Sequence, residues 1–450
     1  MLQALQFGSA ATPSARAAHL EDRITYYDAS AEPGPRFGRL EGTQRCEVCV
    51  IGGGYAGLSA ALRLAQAGRD VILIERGRVG SGASGRNGGL VLPGFSAPAD
   101  ELLAACGPDR AARLWGLSVR AVKLVRALVA AHAIACDLRR GVVTAAAAGT
   151  HMRTLKQTAA IMRDRFGYRD VHMLDRAALE GMVATNAYHG GLYDDGAWHL
   201  HPLAYARGLA QAALAQGARL FESSPAIRVD RGAEPRVHTP HGMVQAEHVI
   251  VAANVDVGGL VPEVAQHVVK VATYMVATRP LAPALIRALN PADVAVYDTR
   301  TALDYYRFSA DRRLVFGWGA ALAVRTPHQI AATGRRRIAR VFPRLGDVAV
   351  DYAWSGDLDL TLNRLTDIGQ RDGRIWYAHG FSGHGVALAT FTGRALADAI
   401  MGADEDYRLL AAVPCRAVRG PQWAAPLAGP IELGLTRLRE ACSRASALVL

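Results

Sequence analysis

With 450 residues, half of them hydrophobic, the chain can build two or three folding units with sizeable cores, which excludes a disordered or fibrous protein. Its 51 Lys and Arg against 40 Asp and Glu give a formal charge of +11; the cations are scattered, with Arg335–Arg337 as a short run, so an anionic small molecule is the expected partner and nucleic acid is not. No apolar run approaches the roughly 18 residues that cross a bilayer, and residues 1–20 lack the apolar centre of a secretory signal, so no integral membrane segment is expected and the location is expected to be cytoplasmic.

Residues 1–45 are rich in Ala, Ser, Gly and Pro and read as an arm lying on the body, anchored by Tyr26 and Tyr27. The stretch from Cys46 to Gly89 follows. Val48–Ile51 is an apolar, mostly β-branched run, as in a strand buried on both faces of a parallel sheet. Gly52, Gly54 and Gly57 come next: the first permits a tight turn, the second lets backbone approach a pyrophosphate, the third lets a helix pack on the strand. That helix is expected over 58–67. A second strand, Val71–Ile74, ends at Glu75, placed to accept hydrogen bonds from ribose hydroxyls. Together these predict a dinucleotide cradle.

Cys46 and Cys49 form a CxxC on the first strand, where side chains three apart point to opposite faces; with no second cysteine pair, no metal ligand set is read. Six cysteines in all suit a reducing compartment.

The second glycine cluster, Gly80–Gly89, contains Ser81, Ser84, Arg86 and Asn87 and is expected to pack against a flat cofactor. Helices are expected over 108–133, with a stripe of Trp115, Val119, Val122, Val125 and Val129, and over 152–165, 176–185 and 203–216. Strands are expected at 218–221 and 248–253, with backbone near Ala226 passing the adenine. From Val268 to Ala320 four alternating segments predict a second, antiparallel sheet on which Tyr305, Tyr306, Arg307 and Phe308 take definite sides. Near Tyr377–Met401 a strand meets a loop with Gly380, Gly383 and Gly385, and a helix starts near Val386, its positive end available to a group gaining negative charge. Residues 403–450 read as a surface tail ending in the helical piece LTRLREACSR.

Six segments, CVIGGGYAGLSAALRLAQAG, GSGASGRNGG, HLHPLAYARGLA, LDYYRFSADRRLVFG, WSGDLDLTLNRLTDIG and GFSGHGV, resemble in their order the FAD-dependent amine and amino acid oxidases of the glycine-oxidase and sarcosine-oxidase class. Within that class the likeness is greatest to gamma-glutamylputrescine oxidases, including the YYDASA at Tyr26. The resemblance implies an α/β fold: a Rossmann-like FAD-binding domain assembled from 46–100, 200–265 and 360–402, and a mixed or antiparallel-sheet substrate domain from 101–199 and 266–359. It implies FAD held by Gly52, Gly54, Tyr55, Ala56, Gly57, Glu75, Arg76, Ser84, Gly85, Arg86, Asn87, Gly88, Ala226, Ala253, Gly380, Gly383, His384, Gly385 and Val386. Covalent relatives use a cysteine near the flavin; Trp354–Gly369 contains none, so FAD is expected to be non-covalent.

The implied reaction takes a hydride from the carbon beside a neutral amine to the flavin, hydrolyses the imine and passes electrons to molecular oxygen, releasing hydrogen peroxide. A dehydrogenase serving a quinone or protein acceptor, and a flavin-holding assembly protein without turnover, are the alternatives. Candidate substrate or catalytic residues are Tyr305, Tyr306, Arg307, Arg86 and His384; Arg307 is suited to a two-point contact with a carboxylate, with a strand-surface ion pair as its alternative, and His384 has a structural place on the flavin loop as its alternative. His201 reads as packing and Lys270 as a solvated strand start, with promotion of oxygen reduction as the latter's alternative. Trp198, Trp318, Leu90 and the Leu365-Thr366-Asp367 run depart from the gamma-glutamylputrescine oxidases, and the two tryptophans are expected to reshape a pocket.

Overall fold

The structure, a computed structural model, describes residues 24–321 and 325–417. Most of the expected arm, the LTRLREACSR piece and Cys442 lie outside the described residues.

The strand Gly42–Ile51 lies inside an eight-stranded sheet, paired in parallel with Gly242–Val251 on one side and Val71–Ile74 on the other. Its last four residues are buried, which is why they are apolar throughout rather than alternating. Arg219–Phe221 extends the sheet beyond Val71–Ile74, and Ile375–His379 extends it beyond Gly242–Val251, both in parallel. Asp367–Arg371 closes the edge in the antiparallel sense. The helix Tyr55–Gln66 starts directly after Gly54, three residues earlier than expected, because the glycine turn itself serves as its cap.

The second sheet has nine strands. The expected antiparallel set is present: Val268–Thr278 pairs with Leu314–Ala321, that strand with Asp304–Phe308, and that one with Ala295–Asp298. Ala295–Asp298 then pairs in parallel with Arg139–Ala145, so the sheet is mixed. Val350–Thr361 flanks Val268–Thr278 on the other edge. The helix Pro327–Val341, opened by a Thr326–Gln329 capping box, covers this sheet's far face. The whole is the α/β arrangement read from the sequence.

The largest apolar cluster joins Leu58 and Leu62 of the cradle helix to Leu388 and Leu396 of the helix Gly385–Ile400. The long helix Pro108–Ala131 buries Trp115, Val122 and Val125 in that same cluster, so it packs with the cofactor-side helices. Cys46 and Cys49 are corrected in one respect: both thiols join a single apolar cluster instead of facing apart. The carbonyl of Asp70 accepts from both Glu47 and Val48, an irregularity that breaks the strand's alternation between them.

Candidate active site

A cavity of about 870 Å³ runs from the cradle to the second sheet. At one end it is built by the turn after the first strand. Gly52 has φ of 110°, and a side chain at Gly57 would overlap the Gly52 carbonyl oxygen, so both positions require glycine for shape. A Cβ at Gly54 would lie 2.9 Å from Ser84 Oγ, which itself accepts the Tyr55 N–H at 3.0 Å. Glu75 accepts from Gly53 N–H at 2.6 Å and from Gly77 N–H at 2.8 Å, so its carboxylate fixes the turn and borders the cavity. Arg76 pairs with Asp256 at 2.8 Å on the same margin, beside Ala226 and Ala253.

Two helix N-termini open onto the cavity. One is Tyr55–Gln66, the other Gly385–Ile400, the latter through Gly383, His384, Gly385 and Val386. Their combined dipoles favour an anionic ligand spanning the space between them. Burial holds His384 down to about 4, so its ring is neutral at physiological pH.

Between these ends the loop Arg86–Gly88 forms a wall. Asn87 bonds the carbonyls of Ala83 and Ser84 and accepts Gly89 N–H, and so holds the loop closed on itself. Three successive carbonyls are held from behind: Arg86 O accepts from Trp354 Nε1 at 3.2 Å, Asn87 O from Tyr27 OH at 2.9 Å, and Gly88 O from Arg307 Nε at 3.3 Å. Arg86 donates to Ser81 O and Ser355 O, tying the loop to the strand Val350–Thr361.

The expected site residues divide accordingly. Gly52, Gly54, Tyr55, Ala56, Glu75, Arg76, Ser84, Arg86, Asn87, Gly88, Ala226, Ala253, Tyr305, Gly383, His384, Gly385 and Val386 all border the cavity. Gly57, Gly85 and Gly380 do not: the first two lie where a side chain would strike backbone carbonyls, and Gly380 turns at φ of 74° while giving its N–H to Asp359.

Tyr306 and Arg307 are corrected. Tyr306 points to the opposite face of its strand, stacking on Phe316. Arg307 shares the face of Tyr305 but lies one pleat further on, fully buried behind the Gly88 backbone. Its Nη1 is 3.9 Å from Asp137 Oδ2, and neither terminal nitrogen has a hydrogen-bond partner among the described residues. It therefore does not reach the cavity. Trp198 and Trp318 are also outside it, the first under Arg126 and the second packed on Tyr274, whereas Leu90 is inside. His201 caps the helix Pro202–Ala215 through Nδ1, as a packing residue would.

Sequence reasoning missed the carboxylates of the strand Val350–Thr361. Asp357 borders the cavity and pairs with Lys270, itself half-exposed on the margin, at 2.6 Å. Asp359 is buried, accepts Gly380 N–H at 2.5 Å, and with the Asn254 amide turned to donate takes that group at 3.1 and 2.6 Å. Burial raises its carboxyl to about 6. Acids at alternate positions of an otherwise apolar strand were the available signal. The apolar lining of Leu92, Phe95, Trp115, Met162, Tyr297 and Leu303 gave none, because such residues read as core.

A parallel sheet with a glycine turn, an acid closing its second strand and two helix ends facing one cleft defines a dinucleotide-binding protein. The sequence matches the family described as FAD dependent oxidoreductase (DAO) over residues 47–399, and the chain belongs to that family. It is 36% identical to gamma-glutamylputrescine oxidoreductase of Escherichia coli (strain K12), over 88% of this chain and 92% of that protein. It is 36% identical to the probable oxidoreductase OrdL of Haemophilus influenzae over 90% and 94% respectively. In fold it is similar to glycine oxidase from Geobacillus kaustophilus, with a TM-score of 0.68 at 22% identity over 80% of this chain and 95% of that one. The protein is thus an FAD-dependent oxidoreductase. The glycine turn, Glu75 and the paired helix ends fit such a cofactor, and no helix among the described residues is long and apolar enough to cross a membrane.

Proposed function

We propose that the chain oxidises the carbon–nitrogen bond of an amine bearing an apolar substituent, using non-covalent FAD and molecular oxygen. FAD supplies the two-electron acceptor when bound. The observation that carries the reading is the character of the cavity beside the second sheet. It is lined by Leu92, Phe95, Trp115, Met162, Tyr297 and Leu303 and carries the acids Asp357 and Asp359. Each cationic side chain on the cavity wall already has a protein partner: Arg76 has Asp256, Lys270 has Asp357, Arg364 has Glu101, and Arg86 has the carbonyls of Ser81 and Ser355. A substrate carboxylate would compete with those partners, whereas an ammonium group would compete with Lys270 for Asp357 and with Gly380 N–H and the Asn254 amide for Asp359. Among the described residues that line the cavity none is a cysteine, which supports a dissociable cofactor.

The chain's part is to bind and orient. The apolar walls exclude water and so favour the neutral amine that can be oxidised, Tyr305 borders the reacting region, and the Asp359 carboxylate is the group available to take the proton an ammonium must lose. Overall, amine, oxygen and water give a carbonyl compound, ammonia or a smaller amine, and hydrogen peroxide. The test is a panel of aralkyl and alkyl amines and amino acids with peroxide and substrate both measured. One peroxide per amine consumed is expected; reduction of dyes without peroxide would point to another acceptor.

A further inference from the structure

We propose that His267, Asp367 and Cys415 form a binding site for one zinc ion, separate from the cofactor cavity. His267 Nδ1, an Asp367 carboxylate oxygen and Cys415 Sγ all lie within 4.8 Å of one another. They come from three separate elements: His267 directly precedes the second-sheet strand Val268–Thr278, Asp367 opens the first-sheet strand Asp367–Arg371, and Cys415 follows the helix Glu405–Ala411. None of the three borders the cavity. Asp367 is buried, and its Oδ2 takes both His267 Nδ1 and His379 Nε2 at 2.7 Å.

The donor set is an imidazole nitrogen, a thiolate and a carboxylate, which suits zinc and not the all-oxygen preferences of magnesium or calcium. A tetrahedral zinc with nitrogen and oxygen about 2.1 Å away holds its ligand atoms roughly 3.4 Å apart, within the span seen here. On binding, the ion replaces the His267–Asp367 hydrogen bond: His267 carries its proton on Nε2, Cys415 releases its thiol proton to solvent, and water fills the fourth position. His379 keeps its hydrogen bond to Asp367 and so orients that carboxylate, while its Nδ1 remains buried without a partner among the described residues. Because the three ligands join both sheets to the segment beyond Glu405–Ala411, the ion would fasten that segment to the sheet junction.

The test uses the full flavin-loaded chain, stripped with a chelator and titrated with Zn²⁺ against a chromophoric chelator, then with Co²⁺. One equivalent of zinc, and a cobalt spectrum with a thiolate charge-transfer band, are expected. Cys415→Ser should lose that band and bind zinc at least 100-fold more weakly, and His267→Gln should also weaken binding at least tenfold. Absence of stoichiometric binding in the parent, or equal binding by both variants, overturns the site. Should a variant fail to fold, alkylation of Cys415 in the parent decides: zinc should slow it at least tenfold, and an unchanged rate overturns the proposal.

Discussion

The phenolic hydroxyl of Tyr27 donates to the main-chain carbonyl of Asn87 at 2.9 Å, linking the short helix Tyr26–Ser30 to the loop that walls the cofactor cavity. Tyr27 is completely buried, and its ring meets Trp354 edge-on at 5.4 Å. Trp354 in turn holds the preceding carbonyl, Arg86 O. The start of the chain's described part is therefore a support for the cavity wall.

Tyr27→Phe removes one donor and leaves a buried carbonyl without it, a change that typically costs about 1–3 kcal/mol. Where the cost falls on the loop's cofactor-ready shape, FAD should bind roughly 5- to 150-fold more weakly. Equilibrium dialysis of flavin from the variant checks this. Unchanged retention would mean the loop keeps its shape without the arm.

Arg307→Met separates the two roles weighed for this side chain. As a support behind Gly88 it should lower the thermal midpoint and FAD affinity, yet leave the ratio of KM values for amines with and without a carboxylate within about twofold. A selective loss of carboxylate-bearing substrates of tenfold or more would restore Arg307 to the substrate.

The same arginine bears on acid stability. His199 and His201 are held down to about 3 by burial first and by the Arg307 charge second. An unfolded histidine titrates near 6.5, so as pH falls below that value the unfolded chain takes up protons that the folded chain refuses, and stability declines with each ring contributing up to about 1.4 kcal/mol per pH unit. The Arg307→Met variant should show a shallower decline between pH 6 and 4 in urea titrations. An identical slope would remove Arg307 as a cause.

Asp359 acts in the opposite sense. Its raised carboxyl, about 6 in the fold against an unperturbed value near 3.9, means the folded state resists ionisation, so stability is withdrawn as pH rises from 4 to 6. Asp359→Asn should therefore be more stable than the parent above pH 6, by up to about 3 kcal/mol, with the gap closing below pH 4. It should also slow amine oxidation if the carboxylate takes the substrate proton. A variant no more stable at pH 8 would contradict the raised carboxyl of the buried Asp359.

Much of this was legible beforehand. The cradle was readable because Gly52, Gly54, Gly57 and Glu75 each answer a local geometric demand of strand, turn and helix, and such demands leave their mark at fixed spacing. Arg307 was misread because alternation gives a side chain's face but not what lies over it, and the Gly88–Gly89 backbone, 219 positions before it at Gly88, covers it. Trp318 was misplaced for a related reason: its neighbour Gly319 borders the cavity and it faces the other way. Asp367, His267 and Cys415 are separated by 100 and 48 positions, so only the folded chain brings them together.

The most direct measurement is anaerobic mixing of the purified yellow protein with an aralkyl amine, followed at the flavin absorbance, with peroxide counted after oxygen is readmitted. Rapid bleaching by the amine, slow or no bleaching by amino acids, and one peroxide per reducing equivalent pair are predicted. A protein that binds FAD in this cavity yet bleaches only with amino acids would contradict the reading of the cavity's apolar, acid-bearing wall.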